Sequence, residues 1–532
     1  MRPPFLRSRG TACLVAALLS ACGADPGEPT GFGQAQSWLE ELDGMPLIAA
    51  SWSGEFRPYL YDGDRYRPLI SDPRGRLARV DLYRPIPISS REILMTGQTA
   101  GRPFFDIYLL ALGDDLPVNL TRTPELDEGD LCSRPGSRLL AYRAGDREVF
   151  ARLGRGLEPI ASPVRGFDEC AWLDQRHLVG IAGRAPPLAL FECVAGTTSV
   201  ECRELPGALR GIDRVTDLVP GGDGIAYLTA LGRGHRFRTV FEIRAGRDPT
   251  PVAHPGGEGD LLDWSPGMWR MGHEGRYLSS LAPASTATLF KTRRIGERVF
   301  AIAADATTPR TLAQLEAGEW ALRPHEARPE APAVREVWTR STDGERHQSF
   351  HFGPASSKVV VWLHGGPRES VSPRFNPYYH ALGRLGFAVM AVNYPGSTGR
   401  GAAYEESYAD DVALERALRS VWDHLRRERV STVVTWSVSA GSRLQRVLLA
   451  RGFPISAIVD QAGFDNRDLV SMAARASVPL FSIRGRHDRF GPDTRVDHLY
   501  EGGHDITHPA DFADLFAAVP AFLESAPPVE WP

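Results

Sequence analysis

Two patterns of apolar residues divide this chain. From about residue 45 to 330, short apolar runs recur between Gly, Pro and Asp, and no long helical period develops. The clearest unit is Asp106-Ile107-Tyr108-Leu109-Leu110, then Pro117-Val118-Asn119-Leu120-Thr121, then Cys132 to Tyr142 through Arg134-Pro135-Gly136. It reads as strand, turn, strand, and a turn before another strand. The last piece echoes at Cys170-Ala171-Trp172-Leu173-Asp174, at Leu218–Tyr227 and at Asp263-Trp264-Ser265-Pro266-Gly267, with anchors 38, 48 and 45 residues apart. A period of about 40–50 residues made only of strands is the pattern of propeller blades. Over residues 45–330 it predicts a degenerate β-propeller of six or seven blades. Pro324, Pro329 and Pro332 then mark an extended linker.

The last third is built differently. Val359-Val360-Val361-Trp362, Phe387–Val392, Ile455–Val459 and Val478–Ile483 are near-continuous apolar runs, as expected of strands buried on both faces. Between and after them lie helical stripes. Asp411–Arg427 repeats Leu414, Leu418, Val421, Trp422 and Leu425; Ala510–Leu523 repeats Phe512, Leu515, Phe516, Val519 and Phe522. Arg335–Phe352 reads as opening strands around an Asp343-Gly344 hairpin turn. Strands alternating with helices predict an α/β domain over residues 331–532.

Three polar residues stand at the ends of these runs. Ser439 lies in Ser437-Val438-Ser439-Ala440-Gly441, between Val433-Val434 and the helical pattern of Leu444, Val447 and Leu448. A strand, tight turn and helix with serine at the apex is the nucleophile elbow. Asp488 follows the run ending at Ile483, and His504 lies in Gly502-Gly503-His504-Asp505 after Leu499-Tyr500. The chain order Ser, Asp, His is the α/β-hydrolase order of the catalytic triad. A fourth element, Leu363-His364-Gly365-Gly366-Pro367, ends the first parallel-type strand. Glycines there let backbone amides approach a ligand closely and point at a developing oxyanion, with the amide of Ala440, next after the serine, as the other candidate donor.

Downstream of the His-Gly-Gly-Pro loop comes Asn393-Tyr394-Pro395-Gly396-Ser397-Thr398-Gly399. Together these motifs resemble the prolyl oligopeptidase family of serine peptidases. The resemblance is specific over roughly residues 335–525 and general over 45–330. It implies an α/β-hydrolase domain capped by a β-propeller that limits access to short peptides. It also assigns Ser439 as nucleophile, Asp488 as orienting acid and His504 as base, with the amides of Gly366 and Ala440 as the oxyanion donors. Three departures stand out: Pro395 replaces the usual arginine, Ser437 replaces the first glycine, and only 16 positions separate Asp488 from His504. The helix that normally lies between acid and base is therefore expected to be missing. Asp488 is favoured for its strand-end position, with Asp460 and Asp465 as fallback acids.

Composition narrows the setting. Net charge is −4 with 24% charged residues, which gives no reason to expect a nucleic-acid partner. No organic cofactor or metal is implied, and no cysteine pair has metal-ligand spacing. Arg2, Arg7 and Arg9 precede the short apolar run Thr11–Leu19, too short to span a membrane, and then Leu19-Ser20-Ala21-Cys22. This resembles a bacterial lipoprotein signal over residues 1–22 with Cys22 lipidated; an ordinary signal peptide is the alternative. Residues 23–44, rich in Gly and Pro at first, read as a flexible tether. The expected location is the bacterial envelope, lipid-anchored on the periplasmic side or at the outer membrane. In that oxidising setting Cys132, Cys170, Cys193 and Cys202 are expected in disulfides, with Cys193 and Cys202 facing across a hairpin turn at Gly196-Thr197-Thr198. Three functions stay open: a serine peptidase acting on short peptides, an esterase with the same triad, and a propeller–hydrolase scaffold with a decayed site that binds partners at the envelope.

Overall fold

A computed structural model describes residues 35–531 apart from short segments, the longest being 253–259, 325–332 and 489–494. The signal region with Cys22, the residues Pro266-Gly267, Pro329 and Pro332, Thr197 and Asp465 lie outside the described residues.

Among the described residues, the N-terminal domain consists of six four-stranded antiparallel sheets and one three-stranded sheet, formed in chain order. These are seven blades, over residues 35–68, 80–119, 128–160, 169–204, 212–251, 260–279 and 288–323. The first strand, Ala35–Leu42, falls inside the stretch read as tether and corrects it. Gly and Pro are dense only up to Gly33, and Trp38, Leu39 and Leu42 supply an apolar strand beyond. Successive blades are glued by apolar clusters that each draw on two neighbours, such as Leu60 with Leu82 and Ile93, or Leu94 with Leu140 and Leu153. The ring closes by the same means. Leu39, Ile48 and Tyr59 of blade 1 pack with Phe300, Ile302 and Leu312 of blade 7, beside the Glu40–Arg293 ion pair. Blades 1 and 7 each pair their own four consecutive strands, so packing closes the ring. Each such buried Leu or Ile contributes roughly 1.5–3 kcal/mol.

Two disulfides fasten the middle of the ring. Cys132 and Cys170 join blade 3 to blade 4, with Cα atoms 6.1 Å apart. Cys193 and Cys202 are directly opposed hairpin partners within blade 4.

Among the described residues, the C-terminal domain is built on an eight-stranded sheet. Its strands are β1 (Val334–Arg340), β2 (Arg346–Phe352), β3 (Lys358–Leu363), β4 (Ala388–Asn393), β5 (Thr432–Val438), β6 (Ala457–Gln461), β7 (Leu480–Gly485) and β8 (His498–Tyr500). They stand in the order β1-β2-β4-β3-β5-β6-β7-β8, parallel from β4 onward. Side chains of β3 alternate between two cores, as the two-residue strand period requires. Val360 and Trp362 face α1 (Pro377–Arg384), while Val359, Val361 and Leu363 face the opposite layer. The helices α2 (Ala402–Glu406), α3 (Asp411–Arg427), α4 (Ser442–Ala450), α5 (Arg467–Arg475) and α6 (Pro509–Glu524) complete the domain. α3 buries Leu414, Leu418, Val421 and Leu425 on one face and α6 buries Leu515, Phe516 and Val519 on the other, so both faces of the sheet are covered. Asp410 caps α3 by accepting from the Val412 amide at 2.8 Å, and Arg426 and Arg427 in its last turn suit the negative end of the helix dipole.

The domains meet through buried polar contacts. Glu405 on α2 receives Arg214 at 2.6 Å and Arg238 at 3.0 Å, both from blade 5. Blade 7 adds the Thr288 hydroxyl, 3.3 Å from Ser372. These contacts hold the propeller on the domain that carries the strand-end loops.

Candidate active site

The site forms at the carboxyl ends of the parallel strands, where loops of an open α/β sheet converge. β5 ends at Val438 and the chain turns sharply through Ser439 before α4. Ser439 has φ +50°, a left-handed conformation unusual for a residue with a side chain, and it is nearly buried. Gly441 allows this turn: a Cβ there would come within 2.3 Å of the Leu363 carbonyl oxygen at the end of β3. Gly365 packs from the other side, where a Cβ would lie 3.4 Å from Ser439 Cβ. The Tyr408 hydroxyl donates to the Ala440 carbonyl at 2.7 Å and ties down the far end of the elbow.

Ser437, at the position usually taken by glycine, is fully buried without being orphaned. Its hydroxyl lies 2.9 Å from Gln445 Oε1 on α4 and 3.0 Å from Asp460 Oδ1 on β6, its register partner. That pairing also places Asp460, whose carboxylate supports the base of the elbow.

The loop after β3 is organised by His364. Burial pushes its pKa down to about 4, so the ring is neutral. Its Nδ1 lies 2.7 Å from the Gly365 carbonyl and its Nε2 lies 2.8 Å from the Ser397 hydroxyl. A neutral ring must therefore donate from Nδ1 to the carbonyl and accept at Nε2. The ring stacks on Tyr394 at 4.3 Å, and the Tyr394 hydroxyl donates to the His364 carbonyl at 2.6 Å. In a planar trans peptide the C=O and N–H point in opposite directions. Holding Gly365 O against His364 thus turns the Gly366 N–H to the other side of the loop. Gly366 has φ +113°, and a Cβ there would come within 2.8 Å of the Arg368 nitrogen. Asn393 braces the segment that follows, accepting from the Val371 amide at 2.6 Å and donating to the Val371 carbonyl at 2.9 Å. Pro395 is buried, and the turn around it is closed by Ser397 N to Tyr394 O, 2.9 Å.

Asp488 and His504 come together across neighbouring strand ends. His504 Nδ1 lies 3.0 Å from Asp488 Oδ1 and 3.1 Å from Oδ2. The short connection works because the two loops zip along each other: Arg486 N donates to Tyr500 O, and His487 N to Gly502 O. Gly485 permits the approach, since a Cβ there would fall 1.9 Å from the Gly503 oxygen. The Tyr500 hydroxyl lies 2.8 Å from Gly503 O and 2.9 Å from His504 O, which holds the histidine loop. Among the described residues no helix lies between the acid and the base. The Asp488 side chain is fully buried and is also met by a guanidinium, that of Arg484, whose Nη1 donates to Oδ2 at 2.6 Å.

Arg484, Tyr408, Gln445 and Tyr500 were not singled out from the sequence. Only Arg484 left a signal there: a lone charge inside the apolar run that becomes β7. Among the described residues no cluster of three His, Cys, Asp or Glu side chains is arranged to hold a metal ion.

No protein-family model matches this chain. Solved structures resemble it over nearly its whole length. One is a Mycobacterium tuberculosis puromycin-hydrolyzing peptidase, 14% identical, with 96% of each chain covered and a TM-score of 0.75. Another is a prolyl endopeptidase, 12% identical, covering 98% of this chain and 95% of its own at 0.71. A third is Pyrococcus horikoshii acylaminoacyl peptidase, 12% identical, covering 93% and 96% at 0.67. The likeness takes in both domains: the fold is the propeller-plus-α/β-hydrolase architecture of prolyl oligopeptidase-type peptidases.

Proposed function

We propose that this chain is a serine peptidase that hydrolyses short peptides through an acyl-enzyme. The observation that carries the reading is the Asp488–His504 contact at 3.0 Å, formed at the same end of the sheet as the strained Ser439. With Nδ1 turned to Asp488, the base work falls to His504 Nε2. It takes the Ser439 proton as Oγ attacks the substrate carbonyl carbon, and Asp488 stabilises the imidazolium that forms. The Gly366 and Ala440 amides receive the oxyanion; one such donor is typically worth about 10²–10³ in turnover. Collapse of the tetrahedral intermediate breaks the C–N bond, and His504 passes its proton to the departing amine. Water, deprotonated by His504, then releases the acyl group and restores Ser439.

Two features favour a short peptide. The propeller is fixed over the hydrolase domain through Arg214, Arg238 and Glu405, which limits what reaches the strand ends. The structures of like fold include proteins described as a prolyl endopeptidase and an acylaminoacyl peptidase. The test is a series of chromogenic peptidyl anilides of rising length beside p-nitrophenyl esters. A peptidase cleaves the anilides of a few residues and falls off sharply for long or folded chains. Ester cleavage without anilide cleavage points to the esterase reading, and cleavage of neither points to the scaffold.

We further propose that the enzyme is held at the bacterial envelope by acyl chains on Cys22. The support is the Arg-rich start, the short apolar run and Leu19-Ser20-Ala21-Cys22. Cys22→Ser should move the protein from the membrane fraction to the soluble envelope fraction. Unchanged membrane association would remove this part of the reading.

A further inference from the structure

We propose that Arg484 is a positioning residue for the acid–base pair, tying Asp488 to the turn after β6. The inference rests on the triad reading above. Arg484 is the penultimate residue of β7 and is nearly buried, with 6% of its side chain exposed against 0% for Asp488. A guanidinium in a buried strand must place its donors, since an unpaired buried charge is very unfavourable. Here they are split between two loops. Nη1 donates to Asp488 Oδ2 at 2.6 Å, and Nη2 donates to the Gly463 carbonyl in the turn after β6. That turn is itself packed on Asp460, because a Cβ on Gly463 would come within 2.4 Å of Asp460 Oδ1. Arg484 therefore ties the acid loop to a part of the sheet that is already anchored under the elbow.

The charge matters as much as the geometry. A buried carboxylate facing only a neutral imidazole would tend to take up a proton. Protonated, Asp488 would stabilise the imidazolium poorly. The guanidinium favours the ionised carboxylate, which makes the pair release its shared proton at lower pH. Removing the guanidinium leaves one more proton on the pair up to higher pH, whichever atom carries it. The acid limb of activity then moves upward. Among the described residues, Asp505 acts on both His504 and Asp488 and Tyr500 acts on Asp488, while Glu369 and Tyr83 face Asp505 and Asp511 and Tyr378 face Tyr500. They are the same in wild type and variant, so the difference isolates Arg484.

The test compares pH profiles of kcat/KM for full-length wild type, Arg484→Met and Arg484→Lys on one peptidyl anilide, with folding checked by circular dichroism. Arg484→Met should lower kcat by roughly 10–100-fold with little change in KM and raise the acid limb by about one pH unit. Arg484→Lys, which keeps the charge but cannot span both acceptors, should hold the limb near its wild-type place and recover part of kcat. A folded Arg484→Met variant with wild-type limb and kcat overturns the proposal. If that variant does not fold, Arg484→Lys decides: an unmoved limb with lowered kcat supports the proposal, and unchanged kcat overturns it. A folded wild type that neither cleaves substrate nor reacts with a fluorophosphonate removes the triad reading itself. An active wild type with an indifferent Arg484→Met removes this inference alone.

Discussion

Ser439 and the Asp488–His504 pair occupy the same end of one sheet, yet they are held there by different means. Ser439 depends on backbone packing. Gly441 lies against Leu363 O with no room for a side chain, and Gly365 packs beside the serine, where a Cβ would lie 3.4 Å from Ser439 Cβ. The acid and base depend instead on side chains and on loops paired through hydrogen bonds: Arg484 on Asp488, Tyr500 on the histidine loop, and the amides of Arg486 and His487. The first arrangement tolerates little change in shape and is insensitive to charge. The second is held by charge and hydrogen bonds, so pH and single polar substitutions should reach it first.

The sharpest break should come on the side-chain half. Asp488→Asn keeps the shape of the site but lets the amide favour the wrong imidazole tautomer, so kcat should fall by about 10⁴ with the fold intact. Asp460→Asn alters a carboxylate that supports Ser437, whereas His504 Nδ1 faces Asp488, so kcat should fall by about tenfold or less. Steady-state kinetics on both variants checks the contrast. Equal losses would mean that Asp460 shares the acid's work.

The backbone half should break through stability. Gly441→Ala must push a methyl into the Leu363 and His364 carbonyl oxygens, 2.3 and 2.9 Å from the new Cβ. It should destabilise the hydrolase domain by about 3 kcal/mol. Urea unfolding followed by fluorescence reports this, because Trp362 and Trp436 are buried in that core. A variant of wild-type stability would mean that the elbow is looser than its packing indicates.

The same contrast explains what could be read from the sequence. Positions fixed by backbone geometry leave small, regular marks: glycines at 365, 366 and 441, apolar runs before each loop, and the order of Ser439, Asp488 and His504. Positions fixed by side-chain networks leave almost none. Nothing local to Ser437 says that Gln445 and Asp460 will take up its hydroxyl, and nothing near Asp488 says that an arginine four residues back will face it. The propeller repeat was faint for a related reason. Its blades are held by packing between neighbours, so each needs apolar residues in roughly the right places and no fixed motif. The strand Ala35–Leu42 was missed because the Gly and Pro before it set the character of the whole segment.

The most direct test of the central claim is covalent. Purified protein lacking residues 1–22 is treated with a fluorophosphonate probe, and the adduct is located by peptide mass spectrometry. The account expects a single adduct on Ser439. It expects no labelling of Ser439→Ala, whose turnover should drop by on the order of a millionfold. A folded wild-type protein that stays unlabelled, or one that carries the probe on another serine, would contradict it.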